Sequence, residues 1–183
     1  GDMLLGALYD LGVPKSIFEK PLCDMGLEKL YSLNFSESNS CSIRGIRVEV
    51  KIIERSIRRD WKSIKELIIK GNLEQNLEKR IYSVFELLAE AEGKVHGINP
   101  EDVHFHEIGA IDSLVDIVGV CAAIEYLKPK NIYCSPPTLG RGFVDTEHGS
   151  LSIPSPAVIE LLSKGDLKVY SDFKSIDVEL STP

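Results

Sequence analysis

The spacing of apolar and polar residues predicts two short helices and a strand in the first part of the chain. Apolar residues recur every three or four positions over residues 2–11, and Gly12 is placed to end that helix. Residues 13–25 predict a second short helix and a loop, and the small polar residues 36–42 predict a turn or loop. From residue 46 to 52, isoleucine and valine alternate with charged residues, as in a strand with one buried face.

Helices dominate the middle of the chain. Residues 61–70 predict a helix that Gly71 and Asn72 end, and residues 73–95 predict a longer one with an apolar stripe. Residues 113–127 are apolar on every side of a helix, which places that helix in the core.

The last third of the chain predicts further strands and one more helix. Residues 131–135 (NIYCS) predict a short buried strand, and the glycines that follow punctuate two strands of an expected hairpin. Ser155 and Pro156 suit the cap and first position of a helix. Residues 167–170 and 176–180 are candidate strands.

Together these elements predict an α/β fold, with a mixed α+β arrangement as the alternative. We expect a single compact domain in which helices cover a small mixed sheet. Trp61, Tyr133 and Tyr170 are expected to be packing residues.

Composition narrows the functional classes. The 183 residues are 43% hydrophobic and 27% charged, as in a globular protein, and the net charge of −7 without a basic block argues against nucleic-acid or anionic-membrane surfaces. The longest apolar run, residues 114–127, contains Asp116 and is too short to cross a bilayer. No signal peptide and no C-x-x-C pair is visible, so we expect a cytoplasmic protein with reduced thiols, Cys121 and Cys134 being core residues.

The stretch VHFHEIGAIDSLVDIVG places ligand-type side chains at the start of the buried helix. Asp116 lies one turn inside it, and Asp112 lies four residues earlier on the same face, at the expected cap position. Asp112 is either a structural cap or part of a site, and Asp116 is either a paired core carboxylate or a metal or substrate contact. Two carboxylates on one face favour a positive partner between them.

His104 and His106 alternate across Phe105, so in an extended chain both imidazoles lie on one face, as two ligands of one metal would. Glu107 follows them directly. An H-x-H pair can be incidental, but here it leads into an acidic, buried helix.

Two further segments offer polar groups. His148 lies among acidic residues in DTEHG, which is either a polar hairpin turn or a third imidazole ligand. Arg141, between Gly140 and Gly142, offers a guanidinium and backbone N–H groups for a phosphate, without the spacing of a P-loop.

Four segments resemble, in order, those of the LarC family of nickel insertion proteins. They are GDMLLGALYDLG, VHGINPEDVHFHEIGAIDSLVDIVG, YCSPPTLGRGFVDTEHGSLSIPSPAVIELL and ELSTP. The resemblance covers residues 1–183, is most specific over residues 95–162 and is looser over residues 14–88.

The resemblance implies a nickel chelatase, a lyase of lactate racemase cofactor maturation. Such an enzyme uses CTP, with a divalent metal, to insert Ni(II) into pyridinium-3,5-bisthiocarboxylic acid mononucleotide. Nickel in the product is bound by two sulfurs and one ring carbon, and that carbon must lose a proton to a base. The implied partners are this substrate, a C-terminal region of the same protein and further copies of the chain, with no nucleic acid or membrane.

Residues are carried over where the motifs match. The family's HFHE motif falls on His104, His106 and Glu107. Its acidic helix motif falls on Asp112, Ser113 and Asp116, and its H-G turn on His148 and Gly149. Our hypothesis is that His104, His106, Asp112 and His148 bind or deliver nickel and that Glu107 or Asp116 serves as a ligand or as the base. Arg141, with Gly140 and Gly142, would contact the phosphate.

Three departures from the family pattern bear on these expectations. A loop with a further aspartate usually precedes GDM, and a region associated with CTP usually follows, so we expect missing residues at both ends and an N-terminal nickel-insertion domain over residues 1–183. Many members also carry histidines where this chain reads ERSIRRDW, so residues 54–61 are expected to contribute no metal ligand.

Three other functions remain open. The chain could be a nickel-delivery module without catalysis, or a metal-dependent hydrolase, since an H-x-H pair with distant aspartates also suits a two-metal site. A purely structural domain would require an ordinary partner for Asp116.

Overall fold

The computed structural model describes residues 1–53, 59–105, 109–146, 149–165 and 167–170. The chain divides into two compact units. Unit 1 is built from Gly1–Phe85 and His104–Pro129, and unit 2 from Glu86–Val103 and the residues after Pro129.

The helices and strands of the described residues follow the predicted order closely. The helices are α1 (Asp2–Asp10), α2 (Lys15–Asp24), α3 (Trp61–Gly71), α4 (Gln75–His96), α5 (Ile111–Leu127) and α6 (Pro156–Lys164), with a 3₁₀ turn at Pro100–Asp102. The strands are β1 (Tyr31–Ser40), β2 (Ile43–Ile52), β3 (Phe143–Thr146) and β4 (Gly149–Ser152). All the predicted helices are confirmed, as are the strand over residues 46–52 and the glycine-punctuated hairpin.

Strands β1 and β2 form an antiparallel hairpin in unit 1, from the pair Tyr31 and Ile52 to the pair Ser40 and Ile43. The turn consists of Cys41 and Ser42, whose φ angles of 48° and 66° fit the twist of a two-residue hairpin turn. The prediction of a loop over residues 36–42 is therefore wrong for its first five residues. Backbone pairing with β2 holds this polar segment in a strand despite its loop-like composition.

Helix α5 is the centre of unit 1 and packs against α1, α2 and β2. Its Gly119 makes this packing close, because a Cβ there would lie 2.9 Å from Leu5 Cδ2 and 3.5 Å from Phe18 Cδ1. Gly6 of α1 similarly lets the helix approach β2, since a Cβ would lie 2.8 Å from the Ile46 carbonyl oxygen. The apolar residues around α5 are buried, including Leu5, Phe18, Leu22, Val48, Leu114, Val115 and Val118.

Helix α3 joins this core through Trp61, which is 2% exposed, as predicted for a packing residue. Its ring lies near those of Tyr82 and Phe85, with centroid separations of 5.1 and 6.5 Å. Phe85 in turn lies 6.4 Å from Phe105, so the aromatic cluster reaches the segment that carries the histidines.

Unit 2 contains the end of α4, the β3–β4 hairpin and α6. Helices α4 and α6 are joined by ion pairs, one between Lys94 Nζ and Glu160 Oε2 at 2.6 Å and one between Lys164 and Glu90. Ser155 is the N-cap residue of α6 and Pro156 its first residue, as predicted.

The prediction of a buried strand over residues 131–135 is wrong. These residues pair with no strand among the described residues and are exposed, with Tyr133 at 88% and Cys134 also on the surface. The apolar side chains of residues 131–135 favour a strand, but no neighbouring strand among the described residues forms backbone hydrogen bonds with them. Tyr170 is also exposed and forms a bridge with Thr138, the one bridge of residues 167–170 within the described part of the chain. Residues 176–180 lie outside that part.

The mixed α/β composition of the fold is confirmed. The described strands form two separate antiparallel hairpins where one mixed sheet was expected, because each strand pairs with its neighbour in sequence. None of the described helices is both long and apolar enough to cross a membrane.

Candidate functional site

The start of α5 holds a carboxylate in an apolar setting. Asp116 lies between the buried residues Val115 and Ile117, and its side chain is 18% exposed. Among the described residues, its buried Oδ1 atom has no hydrogen-bond partner. Burial raises the pKa of Asp116 to about 6, and the nearby Asp2 and Asp112 carboxylates contribute in the same direction.

The start of α1 lies against this carboxylate. The backbone nitrogen of Gly1 is 3.9 Å from Asp116 Oδ2. A Cβ on Gly1 would overlap the carboxyl group, so only glycine fits this position as it stands. Asp2 places a further carboxylate here, and its Oδ1 accepts a hydrogen bond of 2.8 Å from Met3 N–H.

The structure brings Asp112 and Asp116 together, as their spacing predicted, but Asp112 is not the helix cap. The N-cap residue is Ala110, which has no side chain able to cap, and Asp112 is the second residue of α5. Its Oδ1 accepts a hydrogen bond of 2.8 Å from Ser113 N–H. A carboxylate in the first turn still interacts favourably with the positive end of the helix dipole.

His104 is held facing solvent by its neighbours in an extended segment. Val103 and Phe105 are 1% and 2% exposed, whereas the His104 side chain is 75% exposed. Its backbone forms an antiparallel bridge with Asp60, and its Nδ1 atom lies 4.0 Å from Asp60 Oδ2. The other predicted members of the motif, His106 and Glu107, lie outside the described residues.

Sequence reasoning missed Asp60, since residues 54–61 were set aside as a source of metal ligands. Asp60 is the N-cap residue of α3, and its Oδ1 accepts a hydrogen bond of 2.7 Å from Ser63 N–H. The hydrogen bonds from Ser63 hold the pKa of Asp60 below its usual range, and His104 contributes in the same direction. The signal in the sequence was an aspartate directly before Trp61, the first residue of the predicted helix, because aspartate is a favoured N-cap residue.

Arg141, Gly140 and Gly142 lie in unit 2, just before β3. Arg141 is exposed, and the loop is fixed by a hydrogen bond of 3.0 Å from Ile153 N–H to the Gly142 carbonyl. Gly142 has a φ of 109°, which favours glycine at this position. His148 lies outside the described residues.

No three or more His, Cys, Asp or Glu side chains in the described part of the chain are grouped closely enough to hold a metal ion. The described residues instead supply separate functional groups. These are a buried carboxylate able to take up a proton near neutral pH, an exposed imidazole, and an exposed guanidinium.

The profile of a family described as "nickel insertion protein" matches residues 1–183. This chain belongs to that family. The resemblance to nickel insertion proteins noted in the sequence is thereby confirmed over its whole length.

Curated members of the nickel insertion family align with the whole chain. A putative nickel insertion protein of Synechococcus sp. (strain JA-3-3Ab) is 43% identical over 184 residues, which are 100% of this chain and 46% of the relative. The pyridinium-3,5-bisthiocarboxylic acid mononucleotide nickel insertion protein of Acetivibrio thermocellus is 37% identical over 191 residues, again 100% of this chain and 46% of the relative. A putative nickel insertion protein of Methanococcoides burtonii is 38% identical, with 100% and 45% covered. The chain thus spans about half the length of these relatives, and no solved structure matches it.

Proposed function

We propose that this chain is the N-terminal part of a CTP-dependent nickel insertase acting on pyridinium-3,5-bisthiocarboxylic acid mononucleotide. The name of the Acetivibrio thermocellus relative supports this substrate. The observation that carries the proposal is the buried Asp116 carboxylate, which has a raised pKa and an oxygen without a hydrogen-bond partner among the described residues.

The chemical step requires a base. Nickel enters the substrate by forming a bond to a ring carbon, and the carbon–hydrogen bond at that position must break. The electron pair of that bond goes to Ni(II), and the proton goes to the base. With a pKa of about 6, Asp116 is mostly ionised at neutral pH and is a stronger base than an exposed carboxylate. Glu107 is the second candidate for this role.

Nickel is the substrate metal, and His104 is the described residue best placed to present it. Its imidazole is exposed on a fixed backbone, and imidazole nitrogen is a good ligand for nickel. His106, Asp112 and His148 are the proposed partners in holding or delivering the ion.

The remaining parts of the proposal concern the nucleotide and the assembly. Arg141, with Gly140 and Gly142, would contact the substrate phosphate through the guanidinium and backbone N–H groups. CTP and its divalent metal would bind a C-terminal region, and copies of the protein would associate in the cytoplasm.

The first experiment isolates the proton transfer. Exchange of the ring hydrogen of the substrate with solvent deuterium is followed by mass spectrometry in the presence of Ni(II), CTP and the remaining half of a family member, and the same mixture without nickel is the blank. Asp116→Asn should slow both exchange and insertion by at least about 100-fold, the usual scale for removing a general base. Asp102→Asn, which removes an exposed carboxylate from the 3₁₀ turn, is the matched control and should match the parent.

The second experiment tests whether nickel binds at His104 and His106. Calorimetric titration of Ni(II) into the parent and into the His104→Ala/His106→Ala double variant should show binding that the variant loses, with the fold intact by circular dichroism. Nickel binding without any exchange or insertion would favour a delivery module. Equal nickel binding by parent and variant would rule out the histidines as nickel donors.

A further inference from the structure

Asp60 and His104 are held opposite each other by backbone contacts. Their residues form an antiparallel bridge, and Phe105, next to His104, is buried. Gly109 lies directly against the Arg59 backbone, where a Cβ would be only 2.9 Å from Arg59 N. Asp60 and His104 therefore face each other from two chain segments, and the positions of these segments do not depend on the side chains of Asp60 and His104.

The two carboxylate oxygens of Asp60 have different surroundings. Oδ1 accepts the hydrogen bond from Ser63 N–H at 2.7 Å and caps α3. Oδ2 faces His104 Nδ1 at 4.0 Å, and the imidazole side chain is 75% exposed. Since an ionised carboxylate only accepts hydrogen bonds, contact with Oδ2 favours the tautomer that carries its proton on Nδ1.

This tautomer determines which nitrogen of His104 is available to a metal. A proton on Nδ1 leaves the lone pair on Nε2, at the solvent-facing tip of the ring. Histidine ligands in metalloproteins usually donate the other ring N–H to a carboxylate or carbonyl, which fixes the ring and strengthens the ligand.

We propose that Asp60 is a positioning residue for nickel capture: its Oδ2 orients the neutral His104 ring with the proton on Nδ1, so that the lone pair of Nε2 faces solvent, while its Oδ1 caps helix α3. The proposal rests on the nickel-donor function proposed for His104. It gives Asp60 a function although residues 54–61 were expected to contribute no metal ligand.

The variant Asp60→Asn separates these two tasks. Asparagine is as good an N-cap as aspartate, so its side-chain oxygen keeps the bond to Ser63 and the fold is retained. The amide NH₂ then faces the imidazole and donates to Nδ1, which moves the ring proton to Nε2 and blocks the nickel-binding nitrogen.

The test is titration of Ni(II) alone into the parent, Asp60→Asn, His104→Ala and the double variant. Asp60→Asn should weaken binding by about 10- to 100-fold, the range seen for residues that orient metal ligands, with an unchanged melting temperature. In the His104→Ala background it should cause no further loss. Nitrogen-15 NMR, at a pH where the imidazole is neutral, should show the Nδ1–H tautomer in the parent and the Nε2–H tautomer in the variant.

Glu66→Gln removes one exposed charge from the same helix and is the control for net charge. Parent-like binding by Asp60→Asn, or an equal loss in Glu66→Gln, would overturn the positioning role. A further loss in the His104→Ala background would also overturn it, because Asp60 would then act without His104. Parent-like binding by His104→Ala would instead overturn the donor function on which the proposal rests.

Discussion

Ionisation of Asp116 should make unit 1 less stable as the pH rises from about 4 to 7. The carboxylate is largely buried, its Oδ1 lacks a partner among the described residues, and two other carboxylates lie nearby. Asp116→Asn keeps the size and shape of the side chain but cannot ionise. The variant should therefore be more stable than the parent at neutral pH.

The size of the effect follows from the pKa of Asp116, which is raised from its ordinary 3.8 to about 6 in the folded protein. Below pH 3.8 the group is protonated in both the folded and unfolded chain, and the full stability is present. As the pH rises to 6 the unfolded chain ionises first, so the contribution is lost across this window. A difference of about 2 between the two pKa values corresponds to about 3 kcal/mol. Because the side chain keeps some contact with water, we expect about 2 kcal/mol.

The assay is urea unfolding followed by circular dichroism at pH 4 and pH 7.5. Titration of all other groups is common to parent and variant, so it cancels in the difference between them. This difference should be about 2 kcal/mol larger at pH 7.5 than at pH 4, and Asp102→Asn should show no such change. The burial argument would be refuted if the difference in free energy of unfolding were the same at both pH values. It would also be refuted if the parent became more stable relative to the variant as the pH rises.

Three further predictions concern packing, capping and thiol chemistry. Gly119→Ala should lower the free energy of unfolding by about 1–3 kcal/mol in chemical denaturation, because the new methyl group would lie 2.9 Å from Leu5 Cδ2; an unchanged midpoint would contradict the close approach of α1 and α5. Asp60→Ala should cost about 1 kcal/mol through loss of the α3 cap, whereas Asp60→Asn should stay close to the parent, and equal losses in the two variants would argue against capping. Burial raises the pKa of Cys121 to about 11, so a thiol reagent at pH 8 should label the three exposed cysteines of the native protein and reach the fourth only after unfolding.

Helices and their ends could be predicted from sequence because the signals are local. The alternation in β2 and the all-round apolar surface of α5 each follow from the few residues that form the element. The convergence of Asp112 and Asp116 was likewise fixed by helical spacing. The same reasoning failed for residues 36–40, since their strand depends on pairing with β2 rather than on their own composition. It also failed for residues 131–135. Their apolar residues favour strand structure, but local composition does not reveal whether a neighbouring strand is available to pair with them.

The candidate site could be predicted only in part. Motif spacing pointed to His104 and Asp116, but the contact of Gly1 with Asp116 joins residues more than 100 positions apart and has no local signal. The bridge between Asp60 and His104 is equally non-local. His106, Glu107 and His148 lie outside the described residues, so their predicted functions stay predictions.

The central position of α5 has a consequence for the synthesis of the protein. Leu5 packs against Gly119, so α1 leaves the ribosome long before the helix that covers it exists. Until residues 111–127 have emerged, the apolar faces of α1 and α2 lack their main partner. Unit 1 therefore completes its core only after helix α5 has been made, and we expect the nascent protein to depend on chaperones that shield apolar surface during that interval.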